Sequence, residues 1–287
     1  MKPKSTSKNN GVVIAKVMGG LGNQLFIYAA AKRLSVANNV PLKLDLSSGY
    51  TEDEYDRAYS LQHFKINEEN ATSEEAYALN LIHNKDIRYH INKILPFRYK
   101  RFIRENKLFD PRLLNVKIAH TVYLDGYWQD ESYFKDIETT IRKDFEIISP
   151  HDQINIELAK EMSKTNAICL HARRFKYEYL LSSEYYDLAV KYMAKNVPTP
   201  HFYCFSDDIE WIKTNVAINY PVTYISHNKE SKDYEDLWLM TRCKHYIIAN
   251  STFSWWGAWL NALSSKIVIA PKNWGYRAAV PKDWVVL

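Results

Sequence analysis

Sulfur chemistry and membrane anchors are both scarce in this sequence. Three cysteines, Cys169, Cys204 and Cys243, make an odd count with no Cys-x-x-Cys pair, which excludes a disulfide framework. Cys169 and Cys204 fall inside apolar runs, where cysteine acts as a small hydrophobe, so a reducing compartment is expected. No stretch approaches the roughly 18 apolar residues of a membrane-crossing helix. Met1 to Gly11 is polar, lacks the apolar core of a signal peptide, and reads as a disordered lead-in. With neither anchor nor leader, the expected location is the cytoplasm. A strongly basic face is also missing: 38 Lys and Arg stand against 33 Asp and Glu, a net charge of +5. That is weak footing for a nucleic-acid partner, and none is expected; it suits anionic substrates equally well. No polybasic tail, short repeat or low-complexity segment appears, although the region 85–107 is clearly basic.

What is present is an ordinary soluble composition, 46% hydrophobic and 25% charged, with 14% aromatic residues. The 21 Tyr and 8 Trp suit stacking on planar or sugar ligands, and suit ordinary packing too. A chain of 287 residues predicts two domains. Ser149-Pro150-His151-Asp152 reads as the linker between them. The expected division is a lead-in at 1–11, a first domain at 12–148 and a second at 149–287.

Val12 to Val17 reads as a buried strand, followed by Met18-Gly19-Gly20-Leu21-Gly22-Asn23-Gln24, a helix from Leu25 to Asn39, and a strand from Pro41 to Leu46. Strand, glycine-rich turn and helix together bring backbone N–H groups and a helix dipole onto an anion. Gly20-x-Gly22 and Asp45 suggest a dinucleotide fingerprint, but Leu25 stands where the third glycine belongs. Asn23 could equally be a helix N-cap. Ser73 to His83 looks helical. Ile87 to Asn106 mixes basic and aromatic residues around Pro96 and reads as a partly amphipathic helical region with a solvated basic face. Such a face could also meet an acidic lipid surface, as a peripheral membrane contact, or line an acceptor groove. A strand at His120 to Leu124 ends in Asp125-Gly126-Tyr127-Trp128-Gln129, and a helix from Asp130 to Lys143 follows.

After residue 150 helices and short apolar strands alternate. Helices are expected at 154–164, 184–196, 235–243 and 255–263, with a further one capped by Ser206-Asp207-Asp208 and reaching Asn215. Strands are expected at 167–171, 202–205, 222–225, 245–248 and 267–270. That alternation means βαβ units, a parallel sheet and an α/β fold class. In such sheets ligands bind beyond the carboxyl ends of the strands. The unusual polar clusters fall there: Gly19–Gln24, His171–Arg174, Ser206–Asp208 and Asn250–Ser254. Arg173 and Arg174 form a fork suited to phosphate or carboxylate, and Ser251 and Thr252 open a helix whose N–H groups could cradle oxygens. Each cluster also has a structural reading, as N-caps, first-turn acids or surface charge.

Five motifs together carry a resemblance: Gly-Gly-Leu-Gly-Asn-Gln-Leu-Phe (19–26), Gly-Tyr-Trp-Gln (126–129), His-x-Arg-Arg (171–174), Phe-Ser-Asp-Asp (205–208) and Asn-Ser-Thr-Phe-Ser-Trp-Trp-Gly (250–257). Their order resembles that in α-1,2-fucosyltransferases, and the chain looks like a bacterial member of glycosyltransferase family 11. The resemblance implies a GT-B fold, two Rossmann-like domains facing across a cleft. It also implies GDP-β-L-fucose as donor, no metal or other cofactor, and inverting transfer to a galactose 2-hydroxyl. The implied acceptor is a galactose-containing oligosaccharide or lipid-linked glycan. By position it makes Arg173 the diphosphate arginine, supported by Arg174 and His171, and puts Asn23, with Gly20 and Gly22, near the donor. Ser251, Thr252 and Phe253 would surround the diphosphate and nucleoside, and Asp207 or Asp208 would help read the nucleotide. Tyr127, Trp128, Gln129, Tyr177 and Glu178 are the candidate acceptor contacts.

The family pattern continues His-x-Arg-Arg with Gly-Asp-Tyr, whereas this chain reads Phe175-Lys176-Tyr177. Losing that aspartate leaves a catalytically silent nucleotide-sugar or glycan-binding protein as the alternative. A catalytic base is not singled out: Glu178, Asp130, Glu131 and His171 all qualify by chemistry. No Asp-x-Asp pair suggests a metal site, and adjacent Asp207 and Asp208 would diverge by about 100° on a helix.

Overall fold

The computed structural model describes residues 11–50, 57–80, 87–175, 179–272, 274 and 279–287. The chain divides into two compact units, Met1–Tyr59 with Ile66–Asp144, and Ser60–Lys65 with Phe145–Leu287.

The first unit contains β1 (Val13–Lys16), α1 (Leu21–Asn38), β2 (Leu42–Asp45), β3 (Glu69–Asn70), α2 (Ser73–Asn80), α3 (Ile87–Ile94), β4 (Phe102–Arg104), β5 (Val122–Asp125) and α4 (Glu138–Asp144). Its strands are all parallel, in the order β3-β2-β1-β5-β4. β1 lies in the middle, so Val13, Ile14 and Ala15 are buried on both faces. α1 is apolar nearly all round and is a core helix, with Phe26, Ile27 and Tyr28 fully buried. It ends where Asn39 takes a left-handed conformation (φ 50°) and Val40 N–H reaches back to Ser35 O, a C-terminal cap.

Two sequence expectations need correction here. α1 begins at Leu21, not Leu25, because Gly20 O accepts from the N–H groups of both Asn23 and Gln24. Gly20 is therefore the N-cap, and Asn23 sits inside the first turn. The single helix expected over 130–143 is two 3₁₀ turns, Glu131–Tyr133 and Lys135–Ile137, followed by α4. Asp130 accepts from Ser132 N–H, and Phe134 at φ −141° interrupts helical propagation. Short strands β3 and β4 also have no apolar run to announce them.

The second unit contains α5 (Gln153–Lys164), β6 (Asn166–Ala172), α6 (Ser183–Asn196), β7 (Pro200–Ser206), α7 (Ile209–Asn215), β8 (Val222–Ile225), α8 (Asp233–Arg242), β9 (His245–Ile247), α9 (Thr252–Leu260), β10 (Val268–Ala270) and β11 (Val285–Val286). The strands are parallel in the order β11-β10-β9-β6-β7-β8. That is the doubly wound order, and its direction reverses between β6 and β9. The matching reversal in the first unit lies between β1 and β5. Both are places where the chain leaves a crevice beyond the strand ends.

Residues 60–65 join this second unit through an antiparallel bridge between Phe64 and Ile147, with Phe64 edge-on to Phe145. Trp255 and Trp256 are fully buried in α9. Gly257 lets α9 approach α8, since a Cβ there would lie 2.9 Å from Met240 Cβ. All three cysteines are free and buried.

Candidate functional site

Each sheet reversal carries one cluster of polar residues. In the first unit the chain leaves β1 through Gly19, whose φ of +73° is a left-handed conformation. A side chain there would also strike Asn23 Nδ2 at 2.7 Å and lie 3.4 Å from the Tyr127 ring. Fully buried Gln24 locks the turn, its Nε2 donating to Gly19 O and Ala58 O at 2.8 Å each. Asn23 Oδ1 accepts from Gln129 Nε2 at 2.9 Å, so the glycine-rich turn and the segment after β5 are directly joined. Gly22 is buried in the first turn of α1, and Gly20 faces Arg57.

Tyr127, Trp128 and Gln129 are shaped by a residue that sequence spacing did not flag. Glu105 follows β4, and its carboxylate accepts from Tyr127 N–H (2.7 Å) and Trp128 N–H (3.0 Å). Only the register pairing Arg104 with Asp125 brings it there. Gly126 is needed because a Cβ would lie 2.3 Å from Glu105 Cβ. Trp128 is held at φ +56°, an outlier for a bulky residue, of a kind that costs on the order of 1–3 kcal/mol and gathers at binding sites. Its Nε1 and the Gln129 Oε1 are buried with no hydrogen-bond partner among the described residues. Buried polar atoms are rarely left so.

In the second unit β6 carries His171 to the sheet edge and releases Arg173 and Arg174. Register with β7 sets Ala172 beside Ser206, so Asp207 falls next to the arginines. Asp207 accepts from Arg173 Nη1 at 3.1 Å, Arg174 N–H at 2.8 Å and Phe175 N–H at 3.1 Å. The expected fork of two guanidiniums does not form. Arg174 instead stacks 3.7 Å over the Trp211 ring and donates to Leu181 O. Asp208 caps α7 through Trp211 N–H.

Ser251 is the N-cap of α9, which starts at Thr252 rather than at the expected Trp255. Asn250 Nδ2 donates to Tyr179 O, and the Phe253 ring lies 5.9 Å from the His171 ring. The start of α9 and the end of β6 are thus neighbours. His171 is 5% exposed and its Nδ1 has no partner among the described residues. Burial, then the nearby Arg173 charge, pushes its pKa down to about 3, so it is a neutral imidazole and a poor base near neutral pH. Asp130 is occupied as a cap and Glu131 pairs with Lys135 at 3.0 Å. Lys176, Tyr177 and Glu178 lie outside the described residues.

A further acidic cluster, which no sequence motif announces, follows β8. Asn228 Nδ2 donates to Asp236 Oδ1 at 2.8 Å, and fully buried Asn155 hydrogen-bonds both Asn228 and His227. Burial raises Asp233 to about 6 and Asp236 to about 7. Among the described residues no group of three or more His, Cys, Asp and Glu could hold a metal ion, and no helix is long and apolar enough to cross a membrane.

Comparison with known proteins gives the family and the fold. The profile of glycosyl transferase family 11 matches residues 12–285. An α-1,2-colitosyltransferase of Escherichia coli is 35% identical, over 96% of this chain and 98% of that protein. The O-antigen biosynthesis glycosyltransferase WbnK of Escherichia coli is 33% identical, over 89% of this chain and 92% of its own. Among solved structures, a variant of Arabidopsis thaliana FUT1 in complex with GDP superposes with a TM-score of 0.55 at 10% identity, covering 92% of this chain and 71% of that one. That likeness concerns the fold alone, and gives it as the GT-B type of α/β architecture.

Proposed function

The chain belongs to glycosyl transferase family 11, and from that premise we propose that it transfers L-fucose from GDP-β-L-fucose to the 2-hydroxyl of a terminal galactoside with inversion, forming an α-1,2 linkage. The observation that carries the reading is the placement of Arg173, one residue past β6, and of the Ser251-capped start of α9 on either side of the sheet reversal, with the His171 and Phe253 rings 5.9 Å apart. Departure of GDP concentrates negative charge on the diphosphate. A guanidinium and helix N-terminal N–H groups preorganised around that charge lower the barrier, typically by several kcal/mol.

Asp207 acts in this scheme as a positioning residue, fixing Arg173 and closing the turn over its backbone. Arg174 supports the same turn from its Trp211 platform. His171 contributes a neutral, buried wall beside Phe253 and, through Nδ1, a free hydrogen-bonding position for the donor. Ser251 and Thr252 supply the N–H groups, whereas the Phe253 N–H donates to Ser251 Oγ and its ring lies beside His171. Asn23, oriented by Gln129, is the proposed sugar contact on the first unit, with half-buried Tyr127 as an acceptor contact; Trp128, 2% exposed, is too buried to touch an acceptor and is not retained as one. Metal independence is part of the proposal, since Arg173 and the α9 N-terminus would carry the charge that a divalent cation carries elsewhere.

A second donor has a specific observation behind it, the 35% identity to an α-1,2-colitosyltransferase. Colitose is fucose without its 3-hydroxyl, so the same phosphate clamp would serve both. Incubating the protein with lactose in EDTA, and with either GDP-fucose or GDP-colitose, tests the scheme. GDP release with a fucosylated product supports it. Turnover of GDP-colitose alone would move the donor to colitose. GDP binding without transfer to any galactoside would favour a catalytically silent nucleotide-sugar-binding protein.

A further inference from the structure

We propose that the segment from α3 to β4 is a docking surface for an anionic lipid bilayer. From Ile87 to Arg101 the sequence holds five Lys and Arg (Arg88, Lys93, Arg98, Lys100, Arg101) and no Asp or Glu. That stretch alone equals the +5 excess of the whole chain. Elsewhere in the first unit the bases are largely neutralised: Lys32 pairs with Glu68, Arg33 with Asp136, Lys43 with Glu75, Arg104 with Asp125 and Arg112 with Asp110. Lys93, Arg98, Lys100 and Arg101 make no ion pair with any described residue.

Apolar side chains stand among these free charges. Ile91 is 48% exposed, Tyr99 49% and Ile94 82%. A single exposed apolar residue needs no explanation; aliphatic and aromatic groups set within uncompensated positive charge form the pattern of a helix that lies in a lipid interface. The segment also has a fixed base. Asn92 Oδ1 accepts from Arg101 N–H (3.0 Å) and Phe102 N–H (3.2 Å), and its Nδ2 donates to Phe102 O (2.8 Å). These bonds staple α3 to the edge strand β4, so the connecting residues are presented as a shaped feature and not as a loose tail. Arg112 lies 4.5 Å over the Phe97 ring and steadies it from one side.

Bilayer chemistry fits this mixture better than nucleic acid does. Ile91 and Ile94 have no planar face for a base to stack on, whereas both can enter the acyl boundary while Lys and Arg stems reach lipid phosphates. Each such base adds to binding at an anionic surface, and the attraction falls with salt.

The test uses the full chain with vesicles of phosphatidylcholine, alone or with about one third phosphatidylglycerol, in co-sedimentation without any nucleotide sugar. Binding is expected only to the anionic vesicles and should weaken as salt rises. Ile94→Glu, and separately Lys100→Glu with Arg101→Glu, should each reduce partition by about tenfold or more while leaving the melting temperature unchanged. Equal partition to neutral vesicles, unchanged partition of both variants, or retention by a single-stranded RNA oligonucleotide without vesicle binding would each overturn the proposal. Because donor and acceptor are absent, the outcome is independent of the transferase reading.

Discussion

Asp207, one residue past β7, holds Arg173, one residue past β6, with Oδ2 3.1 Å from Nη1, and also takes the N–H groups of the next two residues. One carboxylate therefore fixes both the guanidinium and the turn that carries it. Arg173→Ala should lower kcat by about 10²–10³-fold with little change in melting temperature, because it removes charge stabilisation from the leaving group. Asp207→Ala should lower kcat less, and should cost no more than about 1 kcal/mol of stability, because the two N–H groups it releases are exposed and water can take its place. Steady-state kinetics and denaturant titration read the two effects separately. Near-normal turnover in Arg173→Ala would remove that residue from the mechanism.

The Gln129–Asn23 hydrogen bond makes a second prediction on the first unit. If the two act as one device, the single changes Gln129→Ala and Asn23→Ala and the double change should be non-additive in transfer rate. A double-mutant cycle should give a coupling of about 0.5–3 kcal/mol. Simple additivity would mean that the contact has no part in turnover.

Packing of α9 on α8 depends on Gly257. Placing Ala there puts a Cβ 2.9 Å from Met240 Cβ and 3.0 Å from its sulfur. Overpacking of this kind costs roughly 1–3 kcal/mol, offset in part by the better helix propensity of Ala. Thermal melting should show Gly257→Ala destabilised, and adding Met240→Ala should recover part of the loss. Unchanged melting of the single variant would mean that the two helices separate without cost.

Asp236 gives a pH dependence of unusual sign. Its pKa rises from the ordinary 3.8 to about 7 in the fold, because burial disfavours the charged form. The folded state then binds a proton that the unfolded chain has already released, so between those two values stability falls as pH rises. Asp236→Asn keeps the acceptor for Asn228 but cannot ionise. It should therefore raise the melting temperature at pH 8 and change it little at pH 4. Equal shifts at both pH values would show that Asp236 is not held neutral by the fold.

The periodic second half was legible in the sequence because buried parallel strands are continuous apolar runs separated by amphipathic helices. Strands such as Phe202 to Phe205 and Val222 to Ile225 lie inside or match those observed. The first half was less legible. β3 and β4 are two and three residues long, their sequences Glu-Asn and Phe-Ile-Arg, and they exist through pairing with neighbours and not through any local preference. The helix starts at Leu21 and Thr252 were placed too late, since the caps at Gly20 and Ser251, about one turn upstream, outweighed the onset of the apolar pattern.

By itself the sequence determined the α/β class, the parallel alternation and the residue types at the strand ends. These depend on local periodicity and on turns that few other residues can make. Only the tertiary structure decided what those side chains do. Adjacent Arg173 and Arg174 looked like a fork, and their partners turned out to be an aspartate just past β7 and a tryptophan in α7. Glu105 could not be read at all, because strand register and not sequence spacing brings it beneath Tyr127 and Trp128. Such pairings are long-range contacts, and no local propensity encodes them.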